Sequence, residues 1–316
     1  LVPLAGGGLK YLEDVTLVLG AEVELPGPYG GGAHFLIYTP TMETMQELST
    51  FLNHHITNIT LSSQKARISI PELHCFVTRE IEGLFIPAHA FTPFKGVYGS
   101  CVTSLAELGV ELPGIELGLS SDTALADKIP ELNEMRFLSN SDAHSLAKIA
   151  REYNALSLAK TDYNHLAKAI WGDGENVFLA NYGLNPLLGK YYRSYCTKCD
   201  QIVPGVPPRH SCSICGGEDV IIGVLDTIVG IAGENEGGYP SSRLPYIHQI
   251  PLEFIPGIGP RTLARLLDAF GTEMQILHYV SPEELAEVVG QTMSQKIIAA
   301  RLGNMAVNAG GGGRYG

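Results

Sequence analysis

The sequence predicts an α/β fold: a barrel-like sheet with helices between its strands, then a four-cysteine module, then a helical C-terminal region. Three observations carry this. Apolar strand-like runs alternate with helical patterns from about residue 9 to 181. Two Cys-x-x-Cys pairs stand twelve residues apart. A Pro-Gly-Ile-Gly-Pro run, Pro256 to Pro260, interrupts an otherwise helical stretch.

In the first region the strand candidates are 15–25, 34–38, 84–90, 115–119, 136–140 and 177–181. The helix candidates between them include 41–54, 145–153 and 161–171. In the last of these Thr161 or Asp162 can cap, and Tyr163, Leu166, Ala167 and Ile170 recur at helical spacing. Strand–helix alternation implies a parallel sheet, open or closed into a barrel. Asn185-Pro186 and Gly189 mark its end, so the first domain is set at 1–189. The cysteine module follows at 190–231. Residues 232–249, rich in Gly, Ser, Pro and Glu, read as a linker, 250–308 as a helical domain, and 309–316, with Gly310 to Gly313, as a disordered tail.

Composition narrows the function. Apolar content of 45% and charged content of 17% fit a globular protein. No apolar run is long enough to cross a bilayer, no secretory leader opens the chain, and a cytoplasmic, nucleoid-associated location is expected. A net charge of −12 argues against a protein that coats nucleic acid nonspecifically, yet it leaves room for one local basic face. Four of the six cysteines fall in the paired motif, which suits a reducing compartment and one zinc ion better than a disulfide framework.

The chemistry-bearing residues stand at strand ends. Glu22 follows Gly20, His34 opens the run His34-Phe35-Leu36-Ile37-Tyr38, His89 closes another, and Asp142 with His144 closes a third. Carboxylates and imidazoles so placed build a cluster of divalent ions at one mouth of a barrel. Carboxylates suit hard or borderline divalent ions such as Mg²⁺ and Mn²⁺, and imidazole adds preference for zinc, manganese or iron. Two or three such ions generate hydroxide from water near neutral pH and stabilise a leaving phosphodiester oxygen. Any one of these residues alone has a plainer use. A single strand His usually packs, and Asp142 could cap a helix starting near Ser145. Cys196, Cys199, Cys212 and Cys215 form two knuckles that close a tetrahedral thiolate site, with His210 as a nearby competitor. At Gly257 and Gly259, a short loop between helices exposes backbone N–H groups where a helix begins, the helix-hairpin-helix pattern of sequence-independent DNA binding. Acidic and basic side chains nearly balance there, which suits a hairpin that merely packs, although backbone capture of phosphate needs little side-chain charge. A weaker second copy runs from Val288-Val289-Gly290 into 293–302.

Gly20-Ala21-Glu22, His34-Phe35-Leu36, Pro87-Ala88-His89 and Ser141-Asp142-Ala143-His144 resemble the later motifs of the PHP (polymerase and histidinol phosphatase) superfamily. Longer runs, among them 58–64, 85–93, 116–122 and 180–190, resemble the endonuclease Q family of bacteria and archaea. The resemblance implies a PHP-type distorted (β/α)7 barrel whose front strands are missing. It implies an endonuclease that nicks DNA 5′ to a deaminated base (uracil, hypoxanthine, xanthine) or an abasic site. By motif match Glu22, His34, His89, Asp142 and His144 are metal ligands, with His89, Asp142 and His144 central to catalysis. A damaged base is expected to turn out of the duplex into a pocket near the metals. Lys95, Tyr98, Ser120, Ser121, Arg151, Asn181 and Tyr182 are candidate contacts to DNA or base. Expected partners are double- or single-stranded DNA with a damaged base, repair or replication proteins, and no membrane.

Two departures stand out. The family's opening His-x-His strand and a further upstream His do not occur in 1–316, so the chain is expected to be the downstream part of a longer protein. Phe94 stands where the family usually carries His after Thr-Pro. Two rival readings are a PHP phosphoesterase acting on a small phosphate ester, and a non-catalytic DNA-binding relic.

Overall fold

A computed structural model of the chain describes residues 1–61, 64–233, 240 and 242–316. Strands Leu19–Pro26, Gly32–Thr39 and Leu84–Pro87 form an antiparallel three-stranded sheet. In Gly32–Thr39 the alternation is strict. Ala33, Phe35 and Ile37 are fully buried, while His34, Leu36 and Tyr38 face the other side. Glu24 pairs with His34 and Glu22 with Leu36 across the ladder, so Glu22, Glu24 and His34 share that second face. Helix Met42–Asn53 starts with a capping box from Thr41 and buries Leu48 and Leu52. Leu84–Pro87 lies beside Gly114–Glu116, which pairs in parallel with Arg136–Leu138. Strand Val177–Leu184 then pairs antiparallel with Tyr153–Ser157 and parallel with Tyr246–Gln249.

In place of one parallel sheet these strands form three small ones, and three of their five pairs are antiparallel. The reason lies in short connections: Leu19–Pro26 turns into Gly32–Thr39 through a brief loop, too short for a crossover helix. Strand 15–25 is broken. Val15–Leu17 belongs to a separate antiparallel sheet with Val2–Pro3 and Leu9–Tyr11. The helix expected at 145–153 is only a 3-10 turn, Leu146–Lys148, followed by a strand. Leu146 and Ile149 are exposed, so no apolar stripe holds a helix down. Ala150 takes a positive φ of 58°, and Tyr153 stacks on Tyr182 of the neighbouring strand.

The boundaries also differ from those expected. Helix Val224–Ala232, placed in the cysteine module, puts Val224 and Ile228 into the main core with Phe35, Phe85 and Phe91. The segment read as a linker lies partly outside the described residues, but Arg243 and the strand Tyr246–Gln249 tie it to the sheet. Arg243 forms a buried ion pair with Asp127 at 2.6 Å and lies over the Phe137 ring. The C-terminal helices Pro260–Phe270, Glu273–His278, Pro282–Val289 and Gln291–Arg301 enclose their own core, built on Leu266, Ile276, Leu285 and Ile297. The apolar helix expected before Pro256 is a single 3-10 turn, Leu252–Phe254. Gly257 takes φ +100°, a conformation open to glycine.

The tail, for which four glycines predict disorder, packs along residues 187–193. Gly310 N donates to Leu187 O at 2.7 Å, Arg193 N to Gly310 O at 3.0 Å and Gly313 N to Lys190 O at 3.0 Å. A Cβ on Gly310 would lie 2.3 Å from Gly189 O and one on Gly312 2.5 Å from the Tyr195 ring, so here the glycines serve close approach. Among the described residues no helix is long and apolar enough to cross a membrane.

Candidate metal centre and active site

Glu22, His34 and His89 converge. His34 Nδ1 lies 2.5 Å from Glu22 Oε1 and 3.2 Å from His89 Nε2, and one ligand atom from each falls within 4.8 Å of the others. The shared strand face brings the first two together. His89 arrives from the end of Leu84–Pro87, where the backbone turns through a positive φ of 30°. Asp142, also at positive φ (45°), and His144 follow Arg136–Leu138 and line the same cavity of about 580 Å³. They are not within ligand-to-ligand contact of the other three. His144 Nδ1 sits 2.9 Å from Asp142 O, so it donates to that carbonyl and presents Nε2 outward.

The electrostatics fit an ion. The His34 imidazole beside Glu22 holds its carboxyl below the ordinary range, with further help from the nearby His89 and His144. Burial depresses His89, opposed by the charges of Glu22 and Asp142, so its ring is neutral and its lone pair is available. Three lone-pair donors crowded at hydrogen-bond distance, with a further carboxylate and imidazole facing them, are the donor set that hard-to-borderline divalent ions take. The residues present fit such a group.

One important residue escaped the sequence reading. Glu116 is fully buried behind His89, and its Oε2 accepts the His89 backbone N–H at 2.7 Å. Burial pushes its carboxyl up to about 7, with the charges of Asp142 and Glu22 acting the same way. It ends an apolar run, as Glu22 does, and that was the available signal.

The expected nucleic-acid contacts divide. Lys95, Ser120 and Arg151 line the cavity, joined by Lys148 and Lys190 and, on the acidic side, by Glu22 and Asp142. Lys95 also pairs with Glu24, Lys148 with Glu253 and Arg151 with buried Glu152. Tyr98, Ser121 and Asn181 are corrected to structural roles. The Tyr98 ring stacks on Phe91 and its hydroxyl donates to Glu131 at 2.8 Å. Ser121 is fully buried, and the Asn181 amide donates to Phe137 O and Asn154 Oδ1. Tyr182 stacks on Tyr153 and meets His278 edge-on, away from the cavity. Phe94 lines the cavity with Tyr191, which it meets edge-on, and Tyr315 arrives there from the packed tail. Gly257 and Gly259 sit in the loop that opens helix Pro260–Phe270.

The second cluster is closed. The Sγ atoms of Cys196, Cys199, Cys212 and Cys215 lie within 4.8 Å of one another, and His210 is not in the group. Cys199 N donates to Cys196 Sγ at 3.3 Å, and Gly216, at φ +67°, turns the chain under the second pair. Backbone N–H groups of Cys215 and Ile214 bring the Cys212 thiol down to about 7, while hydrogen bonding with Cys215 pushes Cys199 up to about 12. An ion would replace that competition for protons by four thiolate bonds.

No protein-family model matches the chain. It is 43% identical over 317 residues to the uncharacterized protein YqxK of Bacillus subtilis (strain 168), covering 99% of this chain and 80% of the relative. It is 33% identical over 249 residues to the uncharacterized protein MJ0043 of Methanocaldococcus jannaschii, covering 72% of this chain and 31% of that one. Among solved structures it is similar to the lesion-specific endonuclease PfuEndoQ from Pyrococcus furiosus, with a TM-score of 0.83, 28% identity, and coverage of 99% of this chain and 80% of that one. A second similar structure is endonuclease Q with a 27-mer duplex substrate carrying an abasic lesion at the active site, with a TM-score of 0.84, 28% identity, and coverage of 99% and 81%.

Proposed function

The chain belongs to the endonuclease Q family, and from that premise we propose that it is a metal-dependent DNA-repair endonuclease. It hydrolyses the phosphodiester 5′ to a deaminated base (uracil, hypoxanthine or xanthine) or an abasic site. The observation that carries this reading is the convergence of Glu22, His34 and His89 in a cavity that Asp142 and His144 also line, rimmed by lysines. Those five residues would hold divalent ions (Zn²⁺, Mn²⁺ or Mg²⁺), which supply a nucleophile from water and neutralise charge on the leaving oxygen.

The chain's own side chains do the rest. Lys95, Lys148, Lys190 and Arg151 draw the phosphate backbone to the cavity. Without an ion, His34 Nδ1 donates to Glu22 and holds its carboxylate toward the site; a bound ion would take the place of that proton. Phe94, Tyr191 and Tyr315 offer ring faces and edges on which an unstacked base can rest. The four thiolates hold a structural zinc that braces the module between sheet and helices. The loop at Gly257 and Gly259, and its weaker copy at Gly290, grip the duplex backbone away from the cut as helix-hairpin-helix elements. A PHP-type barrel is the frame that this arrangement of strand faces and strand ends supports. Action on chromosomal DNA places the protein at the nucleoid, beside repair or replication proteins.

The test is a nicking assay on uracil, hypoxanthine and abasic duplexes. We expect a nick 5′ to the lesion that chelator abolishes and added Mn²⁺ or Zn²⁺ restores. Cleavage that survives exhaustive chelation would refute the metal-dependent reading. Phosphate release from a sugar phosphate with no nicking would favour the phosphoesterase reading, and DNA binding with no ion in the cavity would favour the relic.

A further inference from the structure

His89 holds an unusual position for a strand-end residue. Its backbone sits at φ +30°, a region that few residues other than glycine visit, although His, Asn and Asp do so more often than the rest, and surrounding structure must hold it in place. The turn places the imidazole where its Nε2 faces Glu22 and His34; an ordinary extended backbone would direct the ring elsewhere. Thr92 N donates to His89 O at 3.0 Å, which closes the corner on one side.

The other side is held from Gly114–Glu116. The Glu116 carboxylate accepts the His89 backbone N–H at 2.7 Å, and the Glu116 carbonyl accepts the next N–H, that of Ala90, at 2.9 Å. One residue thus grips two successive amides of the turn. Two positions on, Gly118 takes φ +73°, and a Cβ there would lie 3.0 Å from the His89 Cβ. The chain has kept that side chain out of the space the corner occupies.

A fully buried carboxylate is costly to place and persists only where it has a task. Glu116 forms no ion pair among the described residues. It is also not in the group of converging ligands. We infer that Glu116 is a positioning residue for the metal centre: its side chain holds the His89 corner in the left-handed conformation that aims the imidazole at Glu22 and His34. Gly118 is its steric counterpart. The inference rests on the metal-site reading above and extends it to residues behind the ligands.

The experiment compares Glu116→Ala, Glu116→Gln and Gly118→Ala with the parent protein. Two quantities are read: Mn²⁺ and Zn²⁺ affinity by competition with a chromophoric chelator, and amide hydrogen exchange of the segment containing His89 in metal-free protein. Glu116→Ala should weaken divalent affinity about 10- to 100-fold, the range seen when a partner behind a ligand is lost. It should also speed exchange at His89 at least about tenfold, since that N–H loses its acceptor. Glu116→Gln keeps an acceptor oxygen and should stay within about threefold of the parent in both readouts. Gly118→Ala leaves every carboxylate in place and should still weaken ion affinity several-fold.

Equal loss in the Gln and Ala variants would overturn the inference, because the residue would then act through its charge. So would unchanged affinity in both Glu116→Ala and Gly118→Ala. Should Glu116→Ala fail to fold, Gly118→Ala and Glu116→Gln decide between them. If the parent binds no divalent ion, the metal-site reading fails and takes this inference with it; the exchange measurement, made without metal, still tells whether Glu116 holds the corner.

Discussion

The two ligand clusters of this protein are built in opposite ways. Cys196, Cys199, Cys212 and Cys215 come from two knuckles within twenty residues and face one another, with Cys196 and Cys212 buried. Glu22 and His34 come from within strands Leu19–Pro26 and Gly32–Thr39, not from strand ends as the sequence predicts, while His89, Asp142 and His144 follow strand ends; together they span a much longer stretch of chain and line an open cavity of about 580 Å³. A closed thiolate site can only brace the fold, whereas an open carboxylate–imidazole site leaves room for substrate. The contrast predicts that removing ligands from one should cost stability and from the other should cost activity.

The largest effect should follow Cys212→Ser. Structural zinc contributes on the order of 10 kcal/mol of folding free energy to small modules of this kind. We expect loss of bound zinc by elemental analysis and rapid proteolysis within the segment 195–221. An unaltered melting temperature would erase the distinction between the clusters.

Next comes Asp142→Asn, together with Glu22→Gln. Each should lower nicking by about a thousandfold or more. The melting temperature of the metal-free protein should stay within a few degrees, since Asp142 is half-exposed and Glu22 lies at the cavity. Unfolding of either variant would mean that the open cluster is structural as well.

Third is a dependence on pH. The Glu116 carboxyl is raised in the folded state to about 7 from 4.5. Its contribution is fully present below 4.5 and is lost as pH rises through about 7. Metal-free protein should therefore lose up to about 3 kcal/mol between pH 4.5 and 8, read by denaturant titration. Glu116→Gln should flatten that slope. Glu22 has the opposite sign: its depressed carboxyl stabilises the fold above about 4.5 and that gain disappears as pH falls further.

Smaller effects sharpen the picture of the substrate. Tyr315→Ala should slow nicking of uracil or hypoxanthine duplexes about tenfold, in line with the loss of one stacking face, and leave the abasic duplex nearly unaffected. Equal slowing on all three would assign Tyr315 to packing alone. Smallest of all, Gly259→Ala should preserve stability, because its φ is −91° and no atom lies within 4 Å of a Cβ there. A several-fold loss of duplex affinity in that variant would then report the approach of a phosphate. Gly257→Ala should instead cost about 1 kcal/mol of stability, since φ is +100° and the new methyl meets Met293 Cε at 2.9 Å.

How much of this was legible in the sequence depends on distance along the chain. The thiolate site was readable because its spacing is local. The convergence of Glu22, His34 and His89 was readable because each stands at one end of a short apolar run, and the face-sharing of Glu22 and His34 follows from strand alternation. Sheet direction was not readable, since alternation of strand and helix does not reveal that Leu19–Pro26, Gly32–Thr39 and Leu84–Pro87 pair antiparallel. Glu116 was missed because its role is expressed only through the backbone of a residue twenty-seven positions away. Tyr98 and Asn181 were misplaced because a polar group looks the same in sequence whether it meets a ligand or a partner within the fold, here Glu131 and the Phe137 carbonyl. The tail misled for a related reason: a glycine run signals freedom when nothing is near, and tight contact when something is.

Strand Tyr246–Gln249 completes the sheet by pairing in register with Asn181 to Leu184, and it lies in the stretch that leads into the C-terminal helices. A shortened version of this protein ending near residue 240 would therefore lose more than an accessory. It would leave Val177–Leu184 with a row of unpaired amides and carbonyls on one flank, the kind of surface that recruits other chains. Attempts to produce the front half by itself should yield insoluble material, and gene fusions that exchange the helices should keep residues 243–249 with the sheet.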